Sequence, residues 1–406
     1  MKNVLVAQSG GPSVAINATL AGIFERAVTS KDIGHVFGAL YGIKGIINDN
    51  IINLSKKLAN PSAVKQLIST PSSALGSCRI KLKDHKEDPH TYKTIFNNLS
   101  KHNIGWFVYI GGNDSMDTVL KLANYAKSIG SDISIMGAPK TIDNDLCGMD
   151  HSPGFGSAAK YICTTFLELW YDIKAYDVPA VTIVEVMGRH AGWLTASCAL
   201  TKLNCGAPQL IYLPEVPFDN KCFIDDVREN LSYYPTVLVA VSEGIKHASG
   251  SFVGESEQSG VADAFGHKYL SGAARVLESL VRKEIGCKAR AIDLSLMQRS
   301  AGHLASSNDL TEARLLGATA LDRALNGVSG EVSVLHRVSD SPYSVSYDTV
   351  PVSEIANQEK LVPREWINKR GNNVTQDMIR YLTPLVGGEI GIQTHDSMPS
   401  YIDLHP

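Results

Sequence analysis

The chain has 406 residues, too many for one small core, so two domains are expected. Its 38 basic and 41 acidic side chains leave a formal net charge of −3, which argues against a general nucleic-acid or membrane-surface binder. A hydrophobic content of 44% suits a folded protein, and seven scattered cysteines without a Cys-x-x-Cys pair read as reduced thiols rather than a disulfide framework.

Residues 4–7 read as a buried strand; this apolar run is too short for a signal peptide or a spanning helix, and a cytoplasmic protein is expected. Gln8-Ser9-Gly10-Gly11-Pro12 follows, then a helix with Ile16, Leu20, Ile23 and Ala27 on one face. Residues 106–110 form the next strand, succeeded by Gly111-Gly112-Asn113-Asp114-Ser115 and a helix lined by Val119, Leu122, Ala123 and Ala126. Further strands are expected at 133–136, 180–186, 210–213, 237–241 and 292–296. Residues 244–266, rich in Gly, Ser, Ala and Glu, read as a mobile loop. Residues 331–336 and 343–349 are expected to pair as a hairpin, and 375–385 to form an amphipathic helix. Apolar strands alternating with helices imply an α/β fold whose parallel sheet is covered on both faces.

Ligands of such sheets bind beyond the carboxyl ends of the strands. There the chain places Gly10-Gly11, the Asn113 turn, the Asp143 turn, Arg189, Glu243 and Arg299. Gly10, Gly11 and Gly112 lack a Cβ, so backbone amides can approach phosphate oxygens at a helix start; tight turns alone would also explain them. No complete G-x-x-x-x-G-K-[ST] or G-x-G-x-x-G run is present, which weakens the nucleotide readings. Asp143 and Asp145 follow Lys140 and Thr141. One carboxylate could take the proton of a sugar hydroxyl while another group holds Mg²⁺; an Asx-turn is the alternative. The two runs together point to phosphoryl transfer from a small donor to a sugar.

At this point the residues resemble the phosphofructokinases. The matching segments are Ser9-Gly10-Gly11, Leu75-Gly76-Ser77-Cys78-Arg79, Gly111 to Ser115, Pro139 to Asp145, Glu185-Val186-Met187-Gly188-Arg189, Ser242-Glu243-Gly244 and Gln298-Arg299. The resemblance implies two doubly wound, mostly parallel-sheet Rossmann-like domains with the active site in the cleft between them, plus a C-terminal extension. The expected donor domain is 1–146 plus about 300–352, the sugar-phosphate domain 147–299, and the extension, mainly helical, 353–406. It also implies that Asp143 is the general base toward the 1-hydroxyl of fructose 6-phosphate, with Thr141 and Ile142 beside it on the substrate. Met187, Gly188 and Arg189 would contact the sugar and the transferring group, and Glu243 a sugar hydroxyl. Arg290 and Arg299 would grip the 6-phosphate, one of them lent by a neighbouring subunit, with Leu296 and Gln298 lining the same region. Gly10, Gly11, Arg79, Gly112 and Ser115 would hold the donor phosphates. Asn113 and Asp145 are the metal candidates. A homodimer or homotetramer acting on pyrophosphate and fructose 6-phosphate, without nucleic-acid or membrane partners, is implied.

The resemblance also separates donors. Members using ATP carry glycine where this chain has Asp114 and Lys140; members using pyrophosphate carry Asp and Lys, as here. An ATP-dependent enzyme and a catalytically silent sugar-phosphate-binding subunit are the rivals. Asn113 stands where most members have an aspartate for Mg²⁺, Leu296 where an aromatic or His is expected, and Ala180 where bacterial ATP enzymes have a phosphate-gripping Arg. Strong control by nucleotides is not expected.

Overall fold

The computed structural model describes residues 1–254 and 272–405. In chain order the strands are β1 (Lys2–Gln8), β2 (Ile33–Ala39), β3 (Ile51–Asn53), β4 (Ile104–Gly111), β5 (Ser134–Pro139), β6 (Ala180–Val186), β7 (Leu210–Tyr212), β8 (Thr236–Ser242), β9 (Lys288–Asp293), β10 (Glu331–Asp340) and β11 (Tyr343–Pro351). The described residues divide into two compact units. One holds 1–157, 299–359 and 387–406; the other holds 158–298 and 360–386.

The first unit is built on a sheet ordered β11-β10-β5-β4-β1-β2-β3. Its inner pairings, β2 to β1, β1 to β4, β4 to β5 and β5 to β10, are parallel, and the two edges are antiparallel. Both faces are covered, as alternation along β1 shows. Leu5 and Ala7 join one core with Phe107, Ile135 and Val334, while Val4 and Val6 join another with Val108, Ile110 and Met136. The helix Ser307–Leu325 returns the chain to this unit by packing on Ile16–Val28. A Cβ on Gly22 would lie 1.9 Å from the carbonyl oxygen of Arg314, so only glycine permits that approach.

The second unit carries a parallel sheet ordered β7-β8-β6-β9. Val181, Ile183, Val237, Val239 and Val241 pack with Leu277 and Val281 in its core.

Two strands of the first unit's large sheet were not foreseen. β2 and β3 are short or broken by Gly34, His35 and Gly38, so they lack a continuous apolar run. β9 begins at Lys288 rather than 292, because as a sheet edge it alternates exposed Lys288, Arg290 and Asp293 with buried Ala289. The expected hairpin forms over β10 and β11. The expected C-terminal helix forms over Gln376–Leu382, but residues 353–406 otherwise contain short 3₁₀ turns, a two-residue strand pair and irregular chain instead of the mainly helical extension expected. Pro363, Pro384 and Pro399, with Gly371, Gly387, Gly388 and Gly391, interrupt any longer helix there. Individual contacts hold the segment instead: Ile402 N–H donates to Thr70 Oγ1 at 3.0 Å, and Leu404 is buried in the core. Residues 245–253 are ordered, with Lys246 bridged to Phe252 and Ile245 and Val253 in the core; the remainder of the expected mobile loop, from 255 on, lies outside the described residues. Among the described residues no helix is long and apolar enough to cross a membrane.

Candidate active site

Three turns of the first unit converge. β1 ends at Gln8, and Ser77 Oγ donates to the carbonyl of Gly10 at 2.6 Å, stitching the Leu75–Arg79 stretch onto the glycine turn. β4 and β5 end side by side, and Lys140 N–H donates to Gly111 O at 2.9 Å. The Lys140 ammonium then donates to Gly11 O at 2.5 Å. Positions for a Cβ on Gly10 and on Gly11 lie 3.3 Å from Lys140 Nζ and from Arg299 Nη1 respectively. Gly10, Gly11, Lys140 and Arg299 are therefore neighbours, although 289 positions separate the first and last (299 − 10).

Lys140 is 3% exposed. Burial pulls its ammonium down to about 8; Asp143 and Asp145 oppose the shift, while Arg299 and Arg79 add to it. All four of those predicted residues thus act on one nitrogen. Thr141 Oγ1 accepts from Asp143 N–H at 3.1 Å, holding the turn, and Asn144 at its apex has φ of 55° with its side chain accepting from Ser152 N–H. Ile142 packs beneath the turn, near Gly154.

Asp145 is the group that best fits a cation. Its Oδ1 is sealed from solvent and has no hydrogen-bond partner among the described residues. Burial, then the Asp143 carboxylate, push its pKa up to about 7. A stranded carboxylate oxygen beside a second carboxylate could hold a hard cation, and Mg²⁺ needs few protein ligands when phosphates and waters supply the rest. No group of three or more His, Cys, Asp or Glu that could hold a metal occurs among the described residues. Asn113 opens the helix Asn113–Ser128, and both ends of its amide meet backbone: Nδ2 donates to Gln358 O and Oδ1 accepts from Asn357 N–H, each at 2.5 Å. Asp114 lies in the first turn of that helix, half-buried, and Ser115 is buried against Gly111, where a Cβ would stand 2.1 Å from its Oγ. Amides at the start of a helix favour an anion.

In the second unit, β6 runs into Met187-Gly188-Arg189. Three groups clamp this turn. Gln298 Oε1 accepts from Met187 N–H at 3.2 Å, Glu243 Oε1 accepts from Gly188 N–H at 3.2 Å, and Ser242 Oγ donates to Gly188 O. Gly188 has φ of 137°, and a Cβ on Gly244 would lie 2.0 Å from Arg189 O. Leu296, 55% exposed, precedes Gln298, which is buried and also bonds Ser295 O. Arg290 lies instead within β9, as the third of its six residues. Ser77 and Ser242 are positioning groups that the sequence reading did not single out. They lie in the segments Leu75–Arg79 and Ser242–Gly244, and each donates to a glycine carbonyl, Gly10 O and Gly188 O.

Comparison with known proteins gives the family. The phosphofructokinase family model matches residues 3–324. The pyrophosphate–fructose 6-phosphate 1-phosphotransferase of Xanthomonas campestris pv. campestris (strain B100) is 41% identical over 99% of this chain and 96% of its own length. A protein of the same name from Halomonas elongata is 38% identical over 95% of this chain and 92% of its own length. The crystal structure of a pyrophosphate-dependent phosphofructokinase from Nitrosospira multiformis superposes with a TM-score of 0.88 at 33% identity, covering 99% of this chain and 96% of that one. The chain belongs to the phosphofructokinase family.

Proposed function

We infer that this chain transfers a phosphoryl group reversibly from pyrophosphate to the 1-hydroxyl of fructose 6-phosphate, giving fructose 1,6-bisphosphate and phosphate. The observation that carries the reading is Lys140, buried and held on Gly11 O beside Arg299, in the turn where the ATP type has glycine. The names of the similar proteins support the same donor.

In the forward direction Asp143 accepts the proton of the 1-hydroxyl as its oxygen attacks the terminal phosphorus. The bridging P–O bond of pyrophosphate breaks, and inorganic phosphate leaves with that electron pair. Lys140 and Arg189 hold the charge of the group in flight. Gly10, Gly11, Arg79, Gly112 and Ser115 receive the donor phosphates. Met187, Gly188 and Glu243 orient the sugar, assisted by Thr141, Ile142, Leu296 and Gln298, while Arg290 and Arg299 bind its 6-phosphate. Asp145, with Asn113, would hold Mg²⁺, which when bound neutralises charge on the donor. A cytoplasmic homodimer or homotetramer fits this reading.

Asp114 would disfavour ATP by standing where a nucleotide's α-phosphate must go. Like charges about 4 Å apart cost about 1 kcal/mol in water and about 4 kcal/mol at an effective dielectric near 20. That spans about fivefold to nearly a thousandfold in affinity. Purified protein with fructose 6-phosphate and Mg²⁺ should turn over with pyrophosphate and not with ATP. Asp114→Gly should gain binding of ATP by a factor in that span, read from steady-state kinetics. Turnover with micromolar ATP and none with pyrophosphate would reverse the donor assignment.

A further inference from the structure

The turn that carries Asp143 is held on both sides of that residue. On one side Thr141 N–H donates to Pro153 O at 3.1 Å, and Thr141 pairs with Gly154 as an isolated parallel bridge. On the other, Asn144 Oδ1 accepts from Ser152 N–H at 3.0 Å. Residues 152–154 therefore set where the carboxylate between those two points sits. They are gripped in turn by the helix Ser307–Leu325. Asp309, 1% exposed, accepts from Gly154 N–H at 2.8 Å with Oδ1, and from Ser157 N–H at 3.0 Å and Ser157 Oγ with Oδ2. Glu312, three residues along the same helix, bonds His151 Nε2 at 2.8 Å. A buried carboxyl is costly unless donors meet its oxygens, and the donors that meet Asp309 are those of Gly154 and Ser157.

We propose that Asp309 is a positioning residue for the reaction: by fixing Gly154 and Ser157 it fixes the backbone on which Thr141 and Asn144 rest, and so the reach of Asp143 toward the hydroxyl it deprotonates. The inference rests on the role given to Asp143 above. A general base works only within hydrogen-bond reach of its proton, and a misplacement of about 1 Å can cost about a hundredfold in rate. Sealed from solvent, Asp309 acts through the backbone alone. Its two oxygens serve different ends. Oδ1 faces the base turn through Gly154, whereas Oδ2 serves Ser157, whose Oγ also accepts from Ser306 N–H at 3.1 Å and ties down the start of the helix. Alignment and packing are thus separable by substitution.

The test is steady-state kinetics with pyrophosphate, fructose 6-phosphate and Mg²⁺, on proteins shown by circular dichroism to be folded at the assay temperature. Asp309→Ala should lower kcat about ten- to hundredfold, with both KM values within about threefold of the wild type. Asp309→Asn keeps one acceptor oxygen of two and should lose about three- to tenfold. Ser157→Ala leaves Gly154 on Oδ1, so it should keep kcat within about threefold while lowering the unfolding midpoint. Both Asp309 substitutions, made in Asp143→Ser, should cost no further turnover, because no base is left to align. Equal losses with and without Asp143, an unchanged kcat in Asp309→Ala, or a fall in Ser157→Ala as deep as in Asp309→Ala would overturn the proposal. Should Asp309→Ala not fold, Asp309→Asn carries the comparison in both backgrounds. If the wild type shows no turnover with pyrophosphate, the functional reading fails on its own. Amide hydrogen exchange then still decides the link: Asp309→Asn should speed exchange across residues 139–154 and leave β1 and β4 as they are, and unchanged exchange across 139–154 would overturn it.

Discussion

Lys140 is the residue at which folding and catalysis pull in opposite directions. Its ammonium is buried and depressed to about 8, against an ordinary value of 10.5. Keeping it charged costs stability below about pH 8, and that cost fades as pH rises from there toward 10.5. Lys140→Met should therefore stabilise the protein near neutrality by on the order of 2 kcal/mol, read as a raised unfolding midpoint, while turnover collapses. In the wild type, kcat/KM for pyrophosphate should fall as pH rises through about 8, where the free enzyme loses this charge. In kcat the fall should come at higher pH, since bound pyrophosphate favours the ammonium. A flat profile across that range would remove Lys140 from the charge-bearing role. The lysine was legible in the sequence because it stands in a motif of known order. Its bond to Gly11 was not, because 129 positions separate the two.

Among the elements, the β10–β11 hairpin is tied to the sheet by a half-buried ionic cluster as well as by its pairing with β5. Arg337 donates to Asp150, Tyr343 OH donates to Glu312 at 2.6 Å, and His151 places one ring nitrogen on each carboxylate at 2.8 Å. Burial opposes a charge on His151, but its bonds to Asp150 and Glu312 outweigh it and hold the imidazolium above its usual range. A raised histidine contributes stability in full below about pH 6.5, and that contribution is lost as pH climbs through the folded-state value. His151→Ala should cost about 3 kcal/mol, because it leaves buried Glu312 without its cation and Asp150 with Arg337 alone. The loss, measured by denaturant unfolding, should be larger near pH 6 than near pH 9 if the charged form is what stabilises. Equal losses at both would assign the effect to packing. The strands of this hairpin could be read from alternation and turn residues. The cluster could not, since Asp150, Glu312 and Arg337 look like ordinary surface charges until the sheet sets them side by side. For a like reason the start of β9 escaped detection: an edge strand that exposes Lys288 and Arg290 has no apolar run to announce it.

At the scale of the whole molecule, the proposed grip of Arg290 on the 6-phosphate of a sugar bound by a neighbouring copy of the chain predicts shared sites. Mixing Asp143→Ser subunits with Arg290→Met subunits, after dissociation and reassembly, should restore about a quarter of wild-type turnover when assayed well below the KM of the arginine variant. No recovery would confine each site to one chain. The order of the parts along the chain has a consequence of its own. The first unit needs the helix Ser307–Leu325 to cover Ile16–Val28, and Leu404 to finish the same core. While the protein is still emerging from the ribosome, its opening 157 residues carry an uncovered helix and an unpaired β5 edge for the whole time the next stretch is being made. That half-built sheet is where a chaperone would have most to do.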